Sequence, residues 1–169
     1  MQLTLRRAAR REASEIAELF LEVRRVSMAY LPAIRTEAET HRWVEGTLLA
    51  EFDVWVAEAG GRIAAFMALK GEHLEYLYVL PGYQRRRIGD RLLAKAKDLS
   101  RRRLEFFVFA ENAAAMAFYE ARGCVAVRPV LVPEEEVPGF LYEWRAGRAR
   151  GASGRSGKRG ARRAGKHPS

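Results

Sequence analysis

A single cysteine, Cys124, excludes an intramolecular disulfide, and the three histidines, His41, His73 and His167, are too scattered to form a metal-ligand set. No apolar run approaches the ~18 residues of a membrane-spanning helix, and Met1–Arg7 lacks the apolar stretch of a secretion signal. These absences lead us to expect a cytoplasmic protein without membrane contact and without a metal. Two phosphate-binding patterns are missing as well. No G-x-G-x-x-G follows a strand and no G-x-x-x-x-G-K-[ST] occurs, which removes the main support for a dinucleotide fold or a P-loop.

Acidic residues are missing altogether from 147–169, where Arg148, Arg150, Arg155, Lys158, Arg159, Arg162, Arg163 and Lys166 sit mainly among Gly, Ala and Ser. Without those eight cations the formal net charge of +9 drops to +1, so the basic balance belongs to this tail. A stretch with no large apolar side chain cannot offset its ordering entropy by burial. We therefore expect a disordered basic tail over 147–169 behind one domain over 1–146, and 169 residues at 49% hydrophobic suffice for a sizeable core. Such a tail could attract nucleic acid through phosphate contacts, but no aromatic residue is interleaved for base stacking, and a solvated appendage is the favoured reading.

Within the domain, Leu3–Arg7 suits a first strand, and Ile16, Leu19, Phe20 and Val23 recur at helical spacing. That helix should fail near Met28–Pro32, because proline disfavours helical geometry in the residue before it. Thr36-Glu37-Ala38-Glu39 has the capping-box form and opens a second helix through Trp43, Val44, Leu48 and Leu49. Strands are predicted over Asp53–Ala59 and Arg62–Lys70, joined by the hairpin signal Gly60-Gly61, and over Leu74–Val79. A third helix carries Ile88, Leu92, Ala96 and Leu99 on one stripe, and Leu104–Phe109 reads as a buried strand. Asn112 starts a fourth helix that Gly123 closes, and Val125–Val127 and Phe140–Trp144 are the last strands. Pro129–Gly139, with three prolines and three successive glutamates, reads as an exposed loop.

The segment Leu77–Leu93 orders an apolar strand, a Pro-Gly turn, a basic loop and an amphipathic helix. Unpaired N–H groups at a helix start carry partial positive charge, so this order suits a phosphorylated ligand. A second stretch runs from Phe109-Ala110-Glu111-Asn112 to Phe118-Tyr119-Glu120-Ala121-Arg122-Gly123-Cys124. Together the two resemble the GNAT superfamily of acetyl-CoA-dependent N-acyltransferases, with element order matching over 1 to about 145 and specific motifs over Leu77–Leu93 and Phe107–Val125.

The resemblance implies an α/β (α+β) fold, a single domain with a mixed central sheet of about seven strands flanked by four helices, and with strands four and five splayed. It implies acetyl-CoA as acyl-donor cosubstrate and leaves homodimerisation open. In the family a [QR]-x-x-G-x-[GA] loop cradles the pyrophosphate. Here that loop is Gln84-Arg85-Arg86-Arg87-Ile88-Gly89, continuing into Asp90, so Arg87 stands at the first glycine. Glycine permits positive φ, whereas Arg87 must either carry strain there or keep negative φ and offer its guanidinium to phosphate. Main-chain groups of Leu77, Tyr78 and Val79 are expected beside the pantetheine amides.

Acyl transfer needs a proton for the departing thiolate and a neutral amine. By resemblance Tyr119 is the acid, a phenol of pKa ~10 facing a thiol of ~8.5; a core aromatic is the other reading. Asn112, seven residues earlier and so on the same helix side, would contact the pantetheine arm, act as helix N-cap, or both. Glu75 is the first choice for a base and His73 the second, although solvent-facing positions on a strand explain both. Cys124 reads as a small buried residue rather than a nucleophile. Met28, Tyr30, Leu31 and Ile34, with Arg24, Arg25 and Arg35, are acceptor-wall or core residues, while Glu134, Glu135 and Glu136 would draw a cationic acceptor or simply be solvated.

The expected activity is transfer of acetyl to a primary amine of a small molecule or protein whose identity the sequence does not give. The competing reading is a catalytically weak or inactive coenzyme-A-binding sensor whose basic tail attracts nucleic acid.

Overall fold

The computed structural model describes residues 2–147, so the tail expectation lies outside the described residues apart from Gly147. Seven strands form one sheet in the order β1-β2-β3-β4-β5-β7-β6: β1 Leu3–Arg7, β2 Asp53–Ala59, β3 Arg62–Lys70, β4 His73–Val79, β5 Arg103–Phe109, β6 Val125–Val132 and β7 Val137–Arg145. All neighbouring pairs are antiparallel except β4 with β5. The β2–β3 hairpin turns on Gly60 and Gly61, at φ 58° and 76°, the left-handed pair that a tight two-residue turn demands.

Helices cover both faces. On one face, α1 (Ala13–Ser27) buries Ile16, Ala17, Leu19, Phe20 and Val23 against Phe66, Tyr76 and Tyr78. Full burial of each large apolar side chain contributes roughly 1.5–3 kcal/mol. Beside it lies α2 (Glu37–Trp43), begun by the expected capping box: Thr36 Oγ1 accepts from the Glu39 N–H at 3.1 Å, and Glu39 Oε2 accepts from the Thr36 N–H at 2.9 Å. The predicted run to Leu49 is not one regular helix. It widens into a π-helical turn over Val44–Leu48 before a last α turn over Leu49–Glu51, which brings Val44 and Leu48 fully into the core.

On the opposite face, α3 (Ile88–Ser100) and α4 (Ala113–Glu120) pack with Phe106 and Tyr142. The buried stripe of α3 is Ile88, Leu92, Leu93 and Ala96. Leu99, assigned to it from spacing, is 38% exposed, because the stripe rotates away from the sheet at the last turn.

The Pro129–Gly139 loop expectation is corrected. β6 continues to Val132 and β7 begins at Val137, leaving only 133–136 as the turn. Pro129 is tolerated because β6 is an edge strand, and Pro138 pairs with Leu131 beyond Gly139, the last β7 residue opposite β5. Gly139 is required where it stands: a Cβ there would lie 2.5 Å from Val132 Cγ2 and 2.6 Å from the Val108 carbonyl oxygen.

Candidate active site

The site begins where β4 and β5 part. Their one ladder pair is His73 with Glu105, joined by the Glu105 N–H donating to Glu72 O at 2.9 Å. Beyond it the strands diverge, as the expected splay requires, and Leu77, Tyr78 and Val79 pair only with β3. Among the described residues, that edge of β4 beyond His73 is therefore left without a strand partner, and such an edge can pair with an extended amide-bearing ligand.

Two cavities meet in the splay. The larger, about 610 Å³, runs along the start of α3. The smaller, about 170 Å³, lies toward the β6–β7 turn. Met28, Leu77, Tyr78, Asn112, Ala115 and Tyr119 line both.

The larger groove gathers Val79, Gln84, Arg85, Arg87, Ile88, Gly89 and Asp90. Pro81–Tyr83 forms a 3-10 turn after β4, and Gln84 then donates from Nε2 to Val79 O at 3.1 Å, fastening the loop to the strand end. Arg87 takes φ 63°, ψ 15°, the left-handed geometry a glycine would adopt without strain, and Arg85 also has φ 63°. The alternative of a negative φ at Arg87 is thus corrected. Arg91 N–H donates to Arg87 O at 3.2 Å, so the amides of Ile88, Gly89 and Asp90 precede the helical ladder and are free of it. Those amides, with Arg85 and Arg87 beside them, suit a diphosphate. Arg86 does not line this groove: its guanidinium lies over Tyr83, 5.5 Å from the ring centroid. The carboxylate of Asp90 is held by Arg122 Nε, which depresses its pKa below the ordinary value.

Tyr119 stands between the cavities, its ring 4.3 Å from that of Phe106 and 5.1 Å from that of Phe118. Burial raises its phenol pKa above the ordinary 10.0. Asn112 caps α4, its Oδ1 accepting from the Ala115 N–H at 3.1 Å, and still faces both cavities as the seven-residue spacing to Tyr119 requires. Glu75 lines the smaller cavity, whereas His73 lines neither and instead places Nε2 3.0 Å from Glu75 Oε2. Cys124 is buried as expected, and burial pushes its thiol up to about 11.

Two of the three glutamates expected either to draw a cationic acceptor or to be solvated pair instead with arginines, while Glu134 and Glu136 are exposed as a solvated run would be. Arg24 Nη2 reaches Glu135 Oε2 at 2.9 Å and Arg35 Nη2 reaches Glu134 Oε2 at 2.8 Å. The side chains of Arg24 and Glu135 are only 13% and 8% exposed, so this pair is part of the wall. Arg24 Nη1 also donates to the Tyr78 hydroxyl at 3.4 Å, and burial pushes that phenol up to about 12. Sequence reading placed these residues near the acceptor without pairing them; opposite charges at the end of α1 and the segment after it, and on the β6–β7 turn, were the available signal. Val132 in the smaller cavity and Arg122 in the larger groove were missed outright.

Residues 15–124 match the Acetyltransferase (GNAT) family. The chain belongs to that family. Among relatives of this GNAT protein, the peptidyl-lysine N-acetyltransferase YiaC of Escherichia coli (strain K12) is 28% identical over 141 residues, covering 83% of this chain and 95% of the relative. The solution structure of apo-form YjaB from Escherichia coli shares the fold at TM-score 0.71 and 22% identity, over 85% of this chain and 98% of that one. The PaiA N-acetyltransferase of Thermoplasma acidophilum, solved with coenzyme A, superposes at TM-score 0.68 and 20% identity, over 86% and 99%. Among the described residues no helix is long and apolar enough to cross a membrane and no His, Cys, Asp and Glu cluster suits a metal.

Proposed function

We propose that this GNAT protein transfers acetyl from acetyl-CoA to a primary amine, with the ε-amine of a protein lysine as acceptor. The observation that carries the reading is Tyr119, which lines both cavities at the point where they join. Similarity to a peptidyl-lysine N-acetyltransferase over most of both chains supports the acceptor class.

In this reading the Ile88, Gly89 and Asp90 amides, with Arg85 and Arg87, hold the diphosphate of the donor. The open edge of β4 at Leu77–Val79 aligns the pantetheine arm, and Asn112 flanks it. Acetyl-CoA supplies the acyl group as a thioester. Tyr119 keeps its proton in the buried site and gives it to the sulfur as the thiolate departs. Glu75, backed by His73, receives the proton that the amine loses on attack. Holding both reactants in adjoining cavities supplies much of the acceleration. The work is cytoplasmic, in keeping with a chain whose one cysteine is a buried thiol.

Thiol release from acetyl-CoA, followed with lysine-containing peptides, polyamines and amino acids as acceptors, tests the assignment. Turnover with the peptides above the others is expected. Coenzyme A binding without turnover on any amine would make the protein a sensor and overturn the enzymatic reading.

A further inference from the structure

The groove read above as the diphosphate site contains an anion of its own. Asp90 is the third residue of α3, and its carboxylate lines the groove beside the free amides of that helix start. A carboxylate favours a helix N-terminus for the reason a phosphate does, so an uncompensated Asp90 would compete with the ligand for the same positive end.

Arg122, just past α4, removes that competition. Its Nε donates to Asp90 Oδ1, its Nη1 donates to Phe118 O at 2.8 Å, and its guanidinium carbon lies 3.9 Å from the Phe118 ring centroid. Phe118 in turn abuts Gly89, where a Cβ would sit 3.2 Å from Cζ of the ring. The end of α4 is thereby fastened to the start of α3 through one aromatic and one ion pair. Three contacts fix the guanidinium, so its charge stays against Asp90 rather than turning to solvent.

We infer that Arg122 is a positioning residue for the donor site: it masks the Asp90 carboxylate and so leaves the α3 amides available to phosphoryl oxygens. The inference rests on reading the groove as the acetyl-CoA site. It makes the pair, rather than either residue alone, the determinant of donor affinity, and explains how an acid is tolerated in an anion cradle.

The test is a double-mutant cycle on the full chain, with coenzyme A affinity read by calorimetry and kcat/KM read with acetyl-CoA and with S-acetyl-pantetheine, which lacks the diphosphate. Arg122→Gln is expected to weaken coenzyme A at least about tenfold, because the uncompensated Asp90 carboxylate then repels phosphoryl oxygens a few ångströms away, and to lower kcat/KM for S-acetyl-pantetheine far less. Adding Asp90→Asn should restore most of the loss, because the unmasked charge is gone. Equal losses with both donors, or no recovery in the double variant, would mean that Arg122 only braces α4, and would overturn the inference. If Arg122→Gln does not fold, Asp90→Asn alone decides: affinity equal to or above that of the parent supports masking, and a clear loss refutes it. Failure of the parent protein to bind coenzyme A would instead remove the reading of the groove itself.

Discussion

The Tyr119 ring packs 4.3 Å from the Phe106 ring, with the planes at 45°, so the side chain that stands between the two cavities is also part of the core. Phenylalanine at 119 preserves that packing and removes only the hydroxyl. Tyr119→Phe should therefore lower turnover by roughly ten- to a thousand-fold, the usual span for a general acid, while coenzyme A affinity changes little. Steady-state thiol release and calorimetry read the two quantities, and undiminished turnover would strip Tyr119 of the acid role.

The pH profile offers a second check. The acid form of Tyr119 is the one that donates, and burial raises its pKa above 10.0, so this form persists throughout the neutral and mildly alkaline range. A lysine-like acceptor of pKa ~10.4 becomes more nucleophilic as pH rises. The logarithm of kcat/KM for a peptide lysine should climb steadily with no alkaline decline below the ordinary phenol value. A descending limb at lower pH would point to a different acid.

Arg87 gives a prediction about strain. Its left-handed backbone costs roughly 1–2 kcal/mol relative to an unstrained residue, and glycine would relieve most of it. Arg87→Gly should raise the thermal midpoint by about 2–4 °C for each kcal/mol gained. Coenzyme A affinity should stay within about tenfold, the lost guanidinium being offset by a relaxed loop. A collapse in affinity would instead make Arg87 a principal phosphate ligand.

Glu135→Gln removes the charge that faces the largely buried Arg24 guanidinium. Removing one partner of a buried ion pair costs roughly 3–5 kcal/mol, and less here because the amide still accepts a hydrogen bond. Urea denaturation should show the loss. Because the pair lines the smaller cavity, which the proposed function gives to the acceptor, KM for the amine should shift while KM for acetyl-CoA does not, and a change confined to acetyl-CoA would misplace the wall.

Much of this architecture is written locally. The Thr36 capping box, the Gly60-Gly61 turn and the Asn112 cap each state their geometry within four residues, and the structure follows them. The extent of β6 and β7 was not legible, since prolines at 129 and 138 signal a loop unless one knows that β6 is an edge and that β5 stops opposite Gly139. Most of the larger groove was readable from two contiguous motifs, Leu77–Leu93 and the stretch that holds Asn112 and Tyr119. By contrast, the Arg24–Glu135 and Asp90–Arg122 pairs join positions 111 and 32 residues apart, and nothing local to either partner announces the other. Arg86 illustrates the same limit from within the motif: its place in the loop suggested phosphate, and only the fold turns it onto Tyr83.

The bridge from Arg24 to Glu135 has an evolutionary corollary. The smaller cavity, which the proposed function gives to the amine, is lined mainly by β4, β5 and α4 but is closed on one side by this bridge between the two extremities of the domain, neither partner of which lines the larger groove. Under that proposal, altering the tip of the final hairpin would retune which amines are accepted without disturbing how the activated acyl group is held, a division by which one fold could diversify its targets at small cost.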